Sequence, residues 1–349
     1  MTPVLIAGAG PAGSCAALAA LGDGSVVRIF EKSPFPRHKV CGEFLSPEVR
    51  PELEALGVWK QFEEAGPCTI RSVALHFGRR EKSWRLPAAA FGLSRYTLDR
   101  LLLDCAVGRG AELVHEPYQS DAEPAQALGG LQTRRKMQSC PTTHHLILAH
   151  GRKAAAPKGN RLFGFKAHFT GPCGDAVELY FGARAYAGVS TVENGITNVC
   201  GLAPESSLAA HGFEIDRFIR DWPALRERVG ALARTTEWLL TGPLVFTRDF
   251  GATGGGQDYP AGDALGFIDP FTGSGILSAI LTGRLAGSAA ARGLPPEVYV
   301  RQCARVLRFP YWTASLARFA IFSGLAEDVA SWLPGNLLFS LTRPHIARS

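Results

Sequence analysis

Metal-binding and disulfide spacings are missing from this sequence. Its eight cysteines stand at 15, 41, 68, 105, 140, 173, 200 and 303, and no two have C-x-x-C spacing. That argues against a zinc site or a redox dithiol, and the scatter is not that of a small disulfide scaffold. Reduced thiols in a cytoplasmic protein are the expectation. Lysine and arginine never run beyond three residues, and no aromatic platform is interleaved with them, so nucleic acid is not an expected partner. No uninterrupted apolar run approaches the roughly 20 residues that span a bilayer. The start, MTPVLIAGAG, enters an apolar strand at once, without the charged region and cleavage site of a leader peptide.

What is present fits a two-part globular chain. At roughly 100–200 residues per domain, length suggests about two domains. Hydrophobic residues make up 46% of the 349, enough for a sizeable core, and the formal net charge is +6. A mild basic excess suits an anionic ligand or a loose encounter with a membrane surface.

The segment PVLIAGAGPAGSCAALAAL, residues 3–21, carries the first motif. Val4–Ala7 read as a short buried parallel strand. Gly8, Gly10 and Gly13 then give G-x-G-x-x-G before an alanine-rich helix. In such a turn the first glycine permits the bend, the second lets backbone approach a pyrophosphate, and the third lets helix and strand pack closely. The helix N-terminus offers free N–H groups to the phosphates. A second strand, SVVRIF at 25–30, ends on Glu31, 18 residues after Gly13, where an acid takes a ribose hydroxyl. It is the one dinucleotide fingerprint in the chain. GATGGGQ at 251–257 opens no helical pattern, so NAD(P)H or another reductant is expected to dock transiently.

A second signal lies at GDALGFIDPFTGSGILSAI, 262–280. Pro270, Gly273 and Gly275 precede an amphipathic helix running to about Arg292, so another helix N-terminus is aimed at something anionic. The negative charge of a reduced flavin suits it, and Asp263 can accept hydrogen bonds from ribityl hydroxyls. Between the two signals lie the loop PFPRHKVCGEFLSP, 34–47, and the stretch GLSRYTLDRLLLD, 92–104. The loop is a poor helix and a poor strand, with Cys41 pressed against Gly42.

Together these motifs resemble the FAD-dependent oxidoreductases built like para-hydroxybenzoate hydroxylase, and the cysteine-glycine loop is most similar to the geranylgeranyl reductase branch. The resemblance spans residues 1 to about 290. It implies an α/β fold: a Rossmann-like FAD-binding domain, an interleaved β-sheet substrate domain and a helical C-terminal tail. The FAD domain is expected from 1–65, 91–155 and 250–295, the substrate domain from 66–90 and 156–249, and the tail from 296–349. Gly8, Gly10, Gly13 and Glu31 fall on the adenosine and pyrophosphate half of FAD. Arg95 and Asp263 reach the ribityl or phosphate region, and Arg37 and Lys39 lie near the cofactor. Pro270, Gly273 and Gly275 lie beside the isoalloxazine. Cys41 and Gly42 approach the reactive ring, where the thiol either donates a proton or packs as a small hydrophobe. Arg37, His38 and Lys39 are candidates to lower its pKa, and Glu43 is a second acid candidate.

The sequence departs from that family in three places. LILAHGRKAAAP, 146–157, has His150 where many relatives have an aspartate, read here as a turn residue. Residues 115–145 show little strand alternation and read as loop-rich. Neither the Trp-x-Trp of flavin halogenases nor the Tyr-x-Trp-x-Phe-Pro segment of many geranylgeranyl reductases is present. KAHFTG, VELYF, YAGVSTV and ITNVCGLA have strand character, and Phe169, Tyr180, Phe181 and Tyr186 either line a pocket or fill a core. DRFIRDWPALRERV, 216–229, reads as one surface helix. The apolar tail from 299, punctuated by Pro310 and Pro334, either caps the FAD domain or touches a membrane as an amphipathic segment.

Three functions follow. The first is reduction of carbon–carbon double bonds in an apolar, isoprenoid-like substrate. The second is a monooxygenase hydroxylating an aromatic or polyketide substrate through a C4a-hydroperoxide. The third is a flavin-binding protein without catalysis. The cysteine-glycine loop favours reduction.

Overall fold

The computed structural model describes residues 2–119, 144–152, 161–182, 184–246, 257–267, 270–328, 334–335 and 343. Much of the 115–145 stretch, read as loop-rich from the sequence, and nearly all of GATGGGQ lie outside the described residues. In chain order the strands and helices are β1 (Val4–Ala7), α1 (Pro11–Gly22), β2 (Val27–Phe30), β3 (Phe44–Leu45), α2 (Val49–Ala55), α3 (Trp59–Glu64), β4 (Cys68–Phe77), β5 (Arg80–Gly92), α4 (Arg95–Gly108), β6 (Glu112–Val114), β7 (His145–Leu148) and β8 (Leu162–Thr170). There follow β9 (Ala176–Gly182), β10 (Ala185–Thr191), β11 (Thr197–Pro204), α5 (Glu205–Ala209), α6 (Ile215–Arg220), α7 (Pro223–Gly230), β12 (Ala233–Arg234), β13 (Leu239–Leu244), β14 (Tyr259–Pro260), α8 (Gly275–Ala291) and α9 (Pro296–Ser323).

Two sheets organise the chain. The first is parallel throughout, in the order β14-β7-β1-β2-β6. Its central strand β1 is short, apolar and fully buried, as where both faces of a parallel sheet are covered. Helix α1 lies on it, and α8 crosses α1 so closely that a Cβ on Gly283 or Gly287 would strike the Ala12 or Ala16 carbonyl. The second sheet runs β12-β8-β11-β10-β9-β4-β5-β3, with β13 also paired to β8. It is antiparallel except where β4 meets β9. Phe44–Leu45, within the cysteine-glycine loop and after Cys41–Gly42, form its edge strand against Phe91–Gly92.

Side-chain alternation divides the second sheet's two faces. Phe165, Ala167 and Phe169 of β8, Ala187 and Val189 of β10 and Val199 of β11 pack against Ile215, Phe218, Ile219, Trp222 and Leu225. Gly164, Tyr186, Gly188, Ser190, Cys200 and Leu202, from the same strands, face a cavity instead. The expected single helix at 216–229 is two helices, α6 and α7, since Pro223 lacks the N–H that would continue the first. Helix α9 passes through Pro310 without ending, contrary to the expected punctuation. No helix among the described residues is long and apolar enough to cross a membrane.

Candidate functional site

A cavity of about 890 Å³ joins the glycine turn of the first sheet to the inner face of the second. At the first end, Gly8 has φ +108°, a conformation that side chains rarely adopt, and a Cβ there would lie 2.5 Å from the Ala149 carbonyl oxygen. Gly13 packs α1 onto the turn, where a Cβ would meet the Gly8 carbonyl oxygen at 1.8 Å. Gly10 differs, for a Cβ built on it would face only Lys39 Nζ at 3.8 Å and Arg95 Nη2 at 4.0 Å. Helix α1 begins there with Pro11 and has no side-chain cap, so its first N–H groups open on the cavity. Two cations and a free helix N-terminus around a glycine make a cradle for a pyrophosphate. The buried Glu31 carboxylate closes the far side, accepting from Ala9 N at 3.0 Å and Ser33 N at 3.0 Å.

The cations are held by carboxylates. Arg37 reaches Glu31 at 3.3 Å, and Lys39 reaches the buried Asp99 at 2.7 Å. Arg95, one helical turn before Asp99, donates to it from Nε at 2.5 Å and Nη2 at 2.8 Å. Burial opposes charge on both, but the pairing wins, raising Arg95 above its usual range and lowering Asp99 below its own. Burial also lowers Lys39, with help from Arg95. The position of Arg95 comes from Ser94, which caps α4 and donates to the buried Glu193 at 2.5 Å.

The basic residues of the cysteine loop therefore do not turn to the thiol. Arg37 and Lys39 point to the dinucleotide half, the Cys41 Sγ accepts from Glu43 N at 3.4 Å, and the Arg95 guanidinium is its neighbouring cation. The Cys41 and Gly42 carbonyls accept from Asn198 Nδ2 of β11 at 3.1 and 3.0 Å. The Cys200 thiol lies 3.7 Å from where a Cβ on Gly42 would stand, and burial pushes its pKa up to about 12.

Glu43, with φ 55°, is wholly buried rather than on a solvated surface. Its carboxylate bonds Lys166 Nζ, accepts from Arg95 N at 2.7 Å and lies 2.7 Å from His168 Nε2. Burial alone would favour the neutral acid, but His168 and Lys166 hold Glu43 below the usual carboxylate range. Lys166 and His168 are missed by motif reading. Their signal was the alternation in LFGFKAHFT, which places Gly164, Lys166 and His168 on one face of β8.

At the second end the lining is apolar: Val73, Leu75, Trp84, Leu179, Tyr186 and Leu202. Of the four expected aromatic residues, only Tyr186 lines the cavity. Phe169 and Tyr180 point to the helices on the other face, and Phe181 stacks on Phe77 at 4.7 Å. The Asp263 carboxyl, raised by burial against the pull of Arg95 and Arg152, lines the cavity with Gly273 and Gly275 at the uncapped start of α8. Pro270 opens the turn Pro270–Thr272, and Phe271 and Thr272 line the cavity. His150 also lines the cavity, beside Gly8. One cavity thus gathers Gly8, Gly10, Glu31, Arg37, Lys39, Cys41, Gly42, Arg95, Asp263, Gly273 and Gly275.

No family model matches the chain. It is 25% identical to a menaquinone reductase of Mycobacterium tuberculosis, over 99% of this chain and 93% of that protein. It is 24% identical to digeranylgeranylglycerophospholipid reductase 1 of Methanosphaera stadtmanae, over 86% of this chain and 78% of that protein. Among solved structures it is similar to the flavin-dependent brominase Bmp2, with TM-score 0.75 and 18% identity over 98% of this chain and 93% of that one. A flavoprotein/dehydrogenase from Cytophaga hutchinsonii gives TM-score 0.74 and 17% identity over 97% of this chain and 90% of that one. At such identities the structural likenesses speak for the fold, while the curated relatives cover nearly the whole chain. The pyrophosphate cradle and these relatives agree: the chain is an FAD-dependent oxidoreductase, similar to flavoproteins of the geranylgeranyl reductase and para-hydroxybenzoate hydroxylase kind.

Proposed function

We propose that the protein reduces carbon–carbon double bonds of an apolar, isoprenoid-like substrate. The observation that carries this reading is the continuity of the cavity. Its dinucleotide half passes, at Cys41 and Gly42, directly into an apolar half walled by Val73, Leu75, Trp84 and Leu179. Two relatives named as reductases support it. Bound FAD, once reduced by NAD(P)H or another transient donor, supplies two electrons and a proton. The chain's own part is to hold the dinucleotide with Lys39, Arg95 and the start of α1, and to exclude water with the apolar wall. The Cys41 thiol gives the second proton to the other alkene carbon and is reprotonated from solvent, with the Arg95 guanidinium as its neighbouring positive charge.

The test is flavin reoxidation after anaerobic reduction. A menaquinone with an unsaturated side chain, mixed in without oxygen, should return the flavin to its oxidised spectrum quickly. The recovered quinone should carry two more hydrogens per saturated bond. An oxygen-dependent transient absorbance, followed by a hydroxylated product, would instead establish the monooxygenase and overturn the proposal.

A further inference from the structure

The outer face of α9 has no role in the site described above. Ten large apolar side chains among the described residues are exposed, and five of them, Phe309, Trp312, Leu316, Phe319 and Leu325, fall within 17 residues. Four of these lie on α9, with Trp312 53% exposed and Phe319 67%. At about 100° per residue, Arg301, Arg305, Arg308, Trp312, Leu316 and Phe319 share a sector roughly 80° wide, with Phe309 at its margin. The three arginines are exposed and occupy the N-terminal half of the stripe, and the apolar side chains the C-terminal half. Among the described residues no carboxylate pairs with these arginines. Glu297 is the one acid on the helix.

The inner face of the same helix is committed. Tyr299, Cys303, Leu307, Tyr311 and Ala314 pack in the core around α1 and α8. Ile321 packs on Tyr186, Leu202 and Leu244, which line the apolar end of the cavity. The described points of the chain beyond 328 lie at that cavity too: Gly335 packs on Trp84, and Arg343 sits over the Phe44 ring.

We propose that the outer face of α9 docks the protein on an anionic lipid surface. Cationic and apolar side chains on one exposed helical stripe match the two terms of interfacial binding: attraction to acidic headgroups and burial of apolar area at the headgroup boundary. Tryptophan suits that boundary, and arginine can lay its stem on apolar surface while its head stays with phosphate. Docking in this way places the wall of the apolar cavity end next to the lipid. The proposal stands independently of which reaction the cavity performs.

Flotation of the full-length, FAD-loaded protein with vesicles tests it. Vesicles of phosphatidylcholine mixed with phosphatidylglycerol should bind the protein, pure phosphatidylcholine should bind it much less, and salt should weaken the difference. Trp312→Glu with Phe319→Glu should weaken binding by about tenfold or more. Each of Arg301→Gln, Arg305→Gln and Arg308→Gln should cost roughly fivefold, on mixed vesicles only. FAD content and melting temperature should stay at wild-type values. Should the double variant not fold, Phe319→Ser serves in its place. Absence of wild-type binding, or equal binding by all variants, overturns the proposal. So does a wild-type dimer that the apolar variant turns into a monomer, which would make this face a self-association surface.

Discussion

At one end of the cavity the walls are main chain and charge; at the other they are side chains projecting from one face of a sheet. The dinucleotide end depends on Gly8 and Gly10, the start of α1, and a network in which Glu31 and Asp99 hold Arg37, Lys39 and Arg95. Its ligand is fixed by geometry that tolerates little change. The apolar end depends on Val73, Leu75, Trp84, Leu179 and Leu202, each supplied by alternation along a strand. Such a wall accepts volume-conserving exchange. The difference teaches where specificity resides: the cofactor is chosen by backbone, and the substrate by a surface that can drift without losing the flavin.

Paired substitutions should separate the two ends most sharply. Gly13→Val puts a branched side chain where even a Cβ stands 1.8 Å from the Gly8 carbonyl oxygen, with backbone on both sides. The α1 helix then cannot seat on the turn, and no FAD-retaining protein is expected after gel filtration. Trp84→Ala should leave FAD content unchanged while shifting the KM for an apolar substrate by about tenfold, the scale of altered contact in a hydrophobic pocket. If Trp84→Ala releases FAD, the ends are not separable.

The next effect belongs to the junction. Glu43→Gln removes the carboxylate that neutralises Lys166, itself 1% exposed. Breaking one partner of a buried pair costs about 3–5 kcal/mol, readable by urea unfolding. The pH dependence has a fixed sign. Glu43 is held below its ordinary pKa, so its contribution is complete above the unfolded carboxylate value of about 4.3 and is lost as pH falls through the folded value. Glu43→Gln should remove part of the wild type's loss of stability in acid. The depressed Asp99, paired with Arg95 and Lys39, should supply what remains. An unchanged acid profile in the variant would disprove this account.

The same contrast explains what could be seen in the sequence. The strand Val4–Ala7, the glycine turn, Glu31 and the α8 segment are local motifs, readable because each needs its residues at fixed short spacing. The apolar wall was readable only as strand character. For Phe169 and Tyr180 pocket and core both stood open, and they take the core reading, because being aromatic does not say which side of a strand faces the cavity. Glu43, Lys166 and His168 are 123 and 125 residues apart in sequence, so no spacing rule could join them. The break between α6 and α7 was missed although Pro223 marks it, and the continuity of α9 through Pro310 was missed because packing of the buried proline overrides its local preference.

The smallest expected effect tests whether the two ends communicate. Asn198 stands on β11, in the second sheet, yet its Nδ2 donates to the carbonyls of Cys41 and Gly42 on the loop beside the dinucleotide end. It is a positioning residue. Asn198→Ala removes both bonds and should cost about 1 kcal/mol of stability, the net worth of such hydrogen bonding. FAD should be retained, since Lys39, Arg95 and α1 are untouched. A loop no longer clamped sets Cys41 at a looser distance from the reacting atoms, so kcat should fall by about tenfold or more with KM little changed. Asn198→Asp should be worse than alanine. An ionised carboxylate has no hydrogen to donate, and it would press negative charge against two carbonyl oxygens. A change in KM alone, or aspartate behaving like alanine, would show that Asn198 supports the apolar wall and that the loop is held by other contacts.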